Sequence, residues 1–361
     1  METDRRMYDL RYQADKIIND DEPEDLGPIR TLAQYEEKEV EWLVKGYLPK
    51  GQITLICGTG GTGKTSVWTS LIASLSTGSR TLFDGTDPVL PRMPITTMFF
   101  SAEDAVEQVI KKKMRNELAD QSKILTMSLS DPRFDQIKFG SPFLENLVRS
   151  YRPKLVVFDP LQNFIDPKIK MSDRNAMRQN MRSLIEWGQR YDTTFLIVMH
   201  TNKLSNAWGR ARMADSADLW DIARCVWMVG DADDKGLKYL SHEKSNYGKT
   251  GRTMLFRNDH GTPTFEAWSD KKDKDFVAEA TKIKNAVQKG QTISECCNAI
   301  LSELGEHPDG MLTKELDSLL NEVLGFKAWL IKESKKNLKE GGQIHYFKSG
   351  MGGDWFIKKT R

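Results

Sequence analysis

The chain has 361 residues, enough for one large domain and a small one. Charged residues make up 29% and hydrophobic ones 39%, an ordinary globular composition, and no apolar run approaches the roughly 20 residues of a membrane span. The formal net charge is +2, so no global positive field draws in nucleic acid and any such contact must come from local patches.

Residues 1–30 are charged and lack sustained periodicity; they read as a flexible N-terminal arm, neither a signal nor a transit peptide. The stretch EVEWLVKGYLPKGQITLIC follows, with a turn at Pro49-Lys50-Gly51 and a short buried strand from Ile53 to Cys57. SVWTSLIASLSTG (66–78) has helical apolar spacing and stops at Gly78. ITTMFFSAED (95–104) is a strand ending in acids, and VEQVIKKKMRNEL (106–118) is a helix. SPFLENLVRSY (141–151) opens with a Ser-Pro helix start and leads into the buried strand KLVVFD (154–159). NAMRQNMRSLIEWGQRY (175–191) is helical and TTFLIVMH (193–200) is another central strand. Short strands then recur at 225–230, 238–244 and 253–258. Strands alternating with helices predict an α/β fold with a mostly parallel twisted sheet covered on both faces.

The charge run SDKKDKD (269–275) reads as a solvated linker, with a helical segment attached, so that 31–268 is the core and 269–291 the linker. Residues 292–361 read as three helices followed by a hairpin around a glycine turn, the order of a small winged-helix domain. Of the four cysteines, Cys57 and Cys225 lie in apolar strand-like runs, and the adjacent pair Cys296 and Cys297 suits neither a zinc site nor a normal disulfide. Reduced buried thiols and a cytoplasmic location, with no membrane, are expected.

The pattern G-x-x-x-x-G-K-[ST] is met by Gly58, Thr59, Gly60, Gly61, Thr62, Gly63, Lys64 and Thr65, with Ser66 next. Glycines let backbone N–H groups curl round phosphates, and the helix that follows points its positive end at them. Lys64 is expected on the β- and γ-phosphates of ATP and Thr65 on Mg2+. A strand stands before this loop and a helix after it, which a chance match does not supply. Asp159 ends an apolar strand, where an acid that holds the Mg2+ shell belongs. Glu103 ends the strand between them and could deprotonate the attacking water, or serve with Ser101 and Asp104 in a helix N-cap. His200, at the end of a central strand, could sense the γ-phosphate or be an ordinary strand-end group.

Together these stations resemble the RecA/DnaB-type P-loop ATPase superfamily. The nearest likeness is to plasmid RepA-like hexameric helicases and phage-encoded AAA family replication ATPases. It covers about residues 38–268 and is carried by EWLVKGYLPKGQITLICGTGGTGKTS, FFSAED, KLVVFDPLQNF, FLIVMHTNK, DLWDIARCVWMV and EKSNYGKTG. The resemblance implies a RecA-like core. It also implies that Glu103 acts on water and His200 as sensor, and that Arg224 and Lys244 reach a neighbour's nucleotide in trans. A finger in trans implies head-to-tail assembly, hence a ring or filament, and a homo-hexamer is expected. The resemblance also places Lys168, Lys170, Arg174, Lys203, Arg210 and Arg212 in loops that line a central channel, where they would track single-stranded DNA. Mobile surface loops are the other reading of those segments.

Charge is split within the last segment. From 291 to 330 there are two Lys/Arg against seven Asp/Glu, and from 331 to 361 eight against three. Lys332, Lys335, Lys336 and Lys339 recur at three- and four-residue spacing on one helix, and Tyr346, Phe347, Trp355 and Phe356 lie on the hairpin. Such a unit contacts DNA, or docks protein with those aromatics as its own core. The expected function is an ATP-hydrolysing, DNA-binding ring ATPase of phage or mobile-element replication, a RepA/DnaB-type helicase working with other replication proteins. The alternative is an ATP-switched DNA-bound scaffold or loader that does not unwind.

Overall fold

The structure is a computed structural model that describes residues 29, 31–89, 91–170, 173–202, 207–259, 261–349 and 353–360. The chain divides into two units, 1–41 and 42–361. In the first, the described residues include a short turn of 3₁₀ helix, Leu32–Gln34.

The second unit begins with a two-stranded ribbon, β1 (Trp42–Val44) and β2 (Leu48–Pro49). Then follow β3 (Ile53–Gly58), α1 (Lys64–Thr77), β4 (Thr97–Ser101), α2 (Lys111–Asn116) and β5 (Ile124–Thr126). Next come α3 (Pro142–Tyr151), β6 (Leu155–Asp159), α4 (Arg174–Tyr191), β7 (Thr194–His200) and α5 (Ala217–Ile222). Four strands complete the large sheet: β8 (Cys225–Asp231), β9 (Leu237–Ser245), β10 (Thr253–Asp259) and β11 (Thr262–Ser269). The nine strands run in the order β11-β10-β9-β8-β3-β7-β6-β4-β5. From β8 to β5 neighbours are parallel; β9, β10 and β11 add an antiparallel extension.

The central strands read as unbroken apolar runs because both faces of the sheet are covered. Alternate residues enter different cores. Leu55, Phe158, Phe195 and Ile197 join one face with α3 and α4, whereas Ile56, Val157, Leu196 and Val198 join the other with α1. Local signals set the helix ends. Ser141 accepts from the Leu144 N–H at 3.2 Å at the start of α3, and Asp173 accepts from Ala176 N–H at 3.1 Å at the start of α4. All four cysteines are free, and burial pushes the Cys57 thiol up to about 12.

The run SDKKDKD is not a solvated linker. Asp273 opens α6 (Asp273–Glu306) and is fully buried. It accepts from Arg212 Nη1, the Tyr239 hydroxyl and the Gly209 N–H, each at 2.7 Å. Three donors offset the cost of burying its charge. Beside it, Lys272 donates to the carbonyls of His242 and Gly251 at 3.0 and 2.8 Å. Phe276, one turn on, stacks against Tyr239 with centroids 4.2 Å apart. The helix then continues without a break through positions 269–291 of the expected linker from residue 273 onward, and on to 306.

The last segment continues with β12 (Met311–Leu312), α7 (Thr313–Ser318), α8 (Ala328–Glu340), β13 (Ile344–Lys348) and β14 (Trp355–Lys359). Its small sheet has the order β12-β14-β13. Its own core holds Cys296, Ile300, Leu304, Leu316, Leu320, Leu330, Leu338, Ile344 and Ile357.

His242 on β9 supplies a pH dependence. It is fully buried; Nδ1 accepts from the Gly251 N–H at 2.9 Å and Nε2 donates to Lys244 O at 2.8 Å. Burial depresses its pKa from 6.5 to about 4. A depressed histidine contributes stability that is present above pH 6.5 and lost as pH falls through 4, on the order of 3 kcal/mol. His242→Gln keeps one donor and one acceptor and cannot titrate. The urea midpoint of the wild type should fall more steeply from pH 6.5 to 4 than that of this variant; parallel curves would reject the assignment.

Candidate functional site

Four neighbouring parallel strands, β3, β7, β6 and β4, deliver their C-terminal ends to one edge of the sheet. The glycine-rich loop follows β3. Gly58 closes that strand where a Cβ would sit 2.4 Å from Val229 O, so only glycine fits. Gly63 precedes α1 with φ +96°, a left-handed turn that aims the first amides of the helix outward. Gly60 and Gly61 form the exposed tip, and the Thr62 hydroxyl donates to Thr59 O at 2.9 Å beneath it. Ser66 is buried in the first turn of α1.

Lys64 is buried, and its ammonium donates to Gly58 O at 2.9 Å and Thr59 O at 2.8 Å. It also lies 3.4 Å from His200 Nδ1. An ammonium has no acceptor, so Nδ1 must accept and the proton of a neutral ring sits on Nε2. That Nε2 is 3.3 and 3.4 Å from the two carboxylate oxygens of Glu103. Lys64 at the start of α1, His200 at the end of β7 and Glu103 just after β4 thus form one chain. Burial holds the Lys64 ammonium below the usual lysine range, with Asp159 opposing the shift.

Asp159 is buried at the same edge. Its Oδ2 accepts from the Thr65 hydroxyl at 3.1 Å and from the Trp68 indole N–H at 2.7 Å. Burial raises its pKa, the two hydrogen bonds oppose this, and the nearby Glu103 charge adds to the rise. A hydroxyl and a carboxylate oxygen side by side are hard donors of the kind Mg2+ takes, with phosphate oxygens and water completing its shell. The donor set fits the ion.

Two residues at this edge carry no signal in the sequence. Trp68, four residues after Lys64, is fully buried against Phe99 and holds Asp159 in place. Lys238 on β9 reaches Gly61 O at 3.2 Å while paired with Asp231 at 2.6 Å, which puts a second cation beside the loop.

Other expected site residues lie elsewhere. Arg224 is exposed just before β8, where its N–H donates to Ile53 O at 2.9 Å, at the opposite end of the strands from the loop. Lys244 does not project outward. Its ammonium donates to Trp220 O, Asp221 O and Ala223 O at 2.7, 3.0 and 2.8 Å, capping the C-terminal end of α5. Arg212 is buried on Asp273, so the expectation that it tracks DNA is corrected: freeing it would strand a buried carboxylate. Lys335 is corrected likewise; it is buried and pairs with Asp317 at 2.5 Å. Arg174 pairs with Asp218 at 3.0 Å and Arg210 with Asp221 at 2.7 Å, both retaining exposure. Lys168 and Lys170 are exposed in the loop before α4, and Lys332, Lys336 and Lys339 are exposed on α8. Lys203 lies outside the described residues.

A phosphate loop after β3, with β7 inserted between it and the strand bearing Asp159, defines a RecA-like P-loop ATPase core. Residues 22–206, just over half of the chain, match the family described as AAA domain, and the chain belongs to that family. No curated protein sequence matches it. Among solved structures it is similar to the KaiC-like protein PH0186 from Pyrococcus horikoshii OT3, at 14% identity and TM-score 0.45, covering 63% of this chain and 100% of that one. It is also similar to a second solved ATPase domain, at 12% identity and TM-score 0.45, covering 60% of this chain and 86% of that one. No helix among the described residues is long and apolar enough to cross a membrane.

Proposed function

We propose that this chain is a helicase-type, ring-forming ATPase that converts ATP hydrolysis into movement along DNA in the replication of a phage or mobile element. The observation that carries this is the chain from Lys64 through His200 to Glu103, set beside the Thr65–Asp159 pair. ATP entering the loop gives the Lys64 ammonium phosphate oxygens in place of the Gly58 and Thr59 carbonyls. Lys64 then leaves His200, and the imidazole follows the γ-phosphate or turns to Glu103. Glu103 takes a proton from the attacking water. Bound Mg2+ would be held by Thr65 and Asp159 and supplies charge neutralisation on the phosphates. His200 ends β7, and the chain from it leads to Gly209 and Arg212, which are fastened to Asp273 at the head of α6. The state of the γ-phosphate thereby has a covalent and hydrogen-bonded route to the last segment.

Helix, strand, two helices and two strands over 273–359 are the element order of a winged helix, which supports the reading of that segment as a DNA-contacting module. Lys168 and Lys170 would face a strand in the ring channel, where phosphate contacts are sequence-independent. Assembly as a homo-hexamer is part of the proposal.

A forked duplex with one labelled strand tests it. The wild type should displace the strand with ATP and not without it, and Lys64→Ala should displace nothing. DNA-stimulated hydrolysis with no displacement would instead favour the ATP-switched scaffold.

A further inference from the structure

The small sheet of the last segment has two different faces. On one, Ile344, Tyr346 and Ile357 meet Cys296, Leu330 and Leu338 of the helices. On the other, Leu312, Phe356 and Phe347 form a single rung across all three strands, since Leu312 pairs with Phe356 and Phe356 with Phe347. None of the three belongs to the segment's apolar core, and all three are only partly buried. The two phenylalanine rings stack at 5.5 Å between centroids with planes 27° apart. His345 and Lys358 make the next rung on that face. Lys358 Nζ lies 5.3 Å from the Phe347 ring centroid and His345 lies 6.3 Å from it. At the hairpin tip Trp355 pairs with Lys348, and that rung falls on the face of Tyr346 and Ile357, not on this one. Gly310 leaves bare backbone beside Phe347, where a Cβ would come within 2.9 Å of the ring.

We infer that this face, with Phe347 and Phe356 as rings and His345 and Lys358 beside them, is a stacking platform for single-stranded nucleic acid. The inference rests on the nucleic-acid reading above and specifies it. Half-buried rings on a sheet face, flanked by an ammonium group, match bases and phosphates at the same time. A duplex keeps its base faces stacked inside, so it offers the rings nothing. An acidic peptide would satisfy the lysine and leave the rings unused. Surrounding charge agrees, with eight Lys/Arg against three Asp/Glu from 331 to 361.

The test uses the full-length chain and anisotropy of labelled oligo(dT), oligo(rU) and a mixed-sequence duplex over a series of salt concentrations. The double variant Phe347→Leu/Phe356→Leu keeps apolar volume and loses the π faces. It should bind single strands about ten-fold more weakly, with an unchanged salt slope and unchanged ATPase activity in the absence of nucleic acid. Phe347→Tyr should restore binding relative to Phe347→Leu. Lys358→Ala should flatten the salt slope by about 0.7. The dT and rU arms distinguish DNA from RNA as the source of the strand. Wild-type affinity in the double leucine variant overturns the platform and leaves the nucleic-acid reading standing. Equal loss of duplex and single-strand binding also overturns it, in favour of groove docking. A wild type that binds none of the three defeats both.

Discussion

Glu103→Gln is expected to bind ATP as the wild type does and to turn it over about 10²- to 10⁴-fold more slowly, the usual worth of a general base. The amide keeps the shape of the carboxylate and its acceptor oxygen toward His200 Nε2, which stands 3.3 Å from Glu103 in the wild type. It removes only the basicity. The phosphate loop, Thr65 and Asp159 are untouched, so nucleotide is held and not hydrolysed. The carboxylate is placed for this work: its side chain is 56% exposed, open to the water it must activate, while its neighbours Lys64 and Asp159 are buried. Asp104 is the competing acid. Its backbone N–H donates to the Ser101 hydroxyl at 3.1 Å, so this residue serves the turn that leads into the next helix. Asp104→Asn should therefore stay within a few-fold of wild-type turnover. Single-turnover measurements with radiolabelled ATP check both variants. The opposite pattern, persistent hydrolysis in Glu103→Gln and none in Asp104→Asn, would falsify the choice of base.

How far the sequence carried the fold and the site follows from where each signal resides. Central strands were legible because both faces are buried, which turns LVVFD and FLIVM into plain apolar runs. The loop GTGGTGKT was legible because phosphate binding needs small residues at fixed spacing along one stretch of chain. The strand β11, TPTFEAWS, was missed: it is the outer edge of the sheet and all but one of its residues are partly buried or exposed, so its pattern is diluted. Long-range polar contacts leave no local trace. Nothing near Asp273 announces that Arg212, Tyr239 and Gly209, from distant parts of the chain, converge on it. SDKKDKD therefore reads as solvent-facing when one of its charges anchors a helix. The same reason hides the cap that Lys244 places on α5 and the hold of Trp68 on Asp159. The aromatics of the hairpin left two readings open, core or exposed contact. Strand pairing divides them, Tyr346 to the helices and Phe347 and Phe356 to the outer face.

A mixture of two inactive variants, Lys64→Ala and Arg224→Ala, is expected to regain part of the lost ATPase activity. The argument is one of reach. Arg224 precedes β8 and is bonded to Ile53 at the start of β3, while the phosphate loop follows Gly58 at the end of the same strand. At about 3.3 Å per residue, five residues set the two roughly 16 Å apart, beyond the span of an arginine side chain. Arg224 cannot touch its own nucleotide, so a phosphoryl group it stabilises must belong to another chain. It is exposed, as action in trans requires, whereas Lys244, one strand over, spends its ammonium on α5 and keeps that helix end fixed beside Arg224. A guanidinium supplied in trans contributes on the order of 10³-fold or more to turnover in comparable phosphoryl transfers, so Arg224→Ala alone should lose about that much. Lys64→Ala alone should lose all of it. In a randomly mixed ring, about one boundary in four pairs an intact phosphate loop with an intact Arg224, and activity should return toward that fraction of the wild type. Steady-state phosphate release at equal total protein measures it, with each variant alone as the baseline. Lys244→Ala, by contrast, should lower thermal stability along with turnover, and mixing it with Lys64→Ala should restore less. If the Lys64→Ala and Arg224→Ala mixture gives only the sum of its parts, and Arg224→Ala alone is fully active, each chain hydrolyses ATP by itself and no ring is needed.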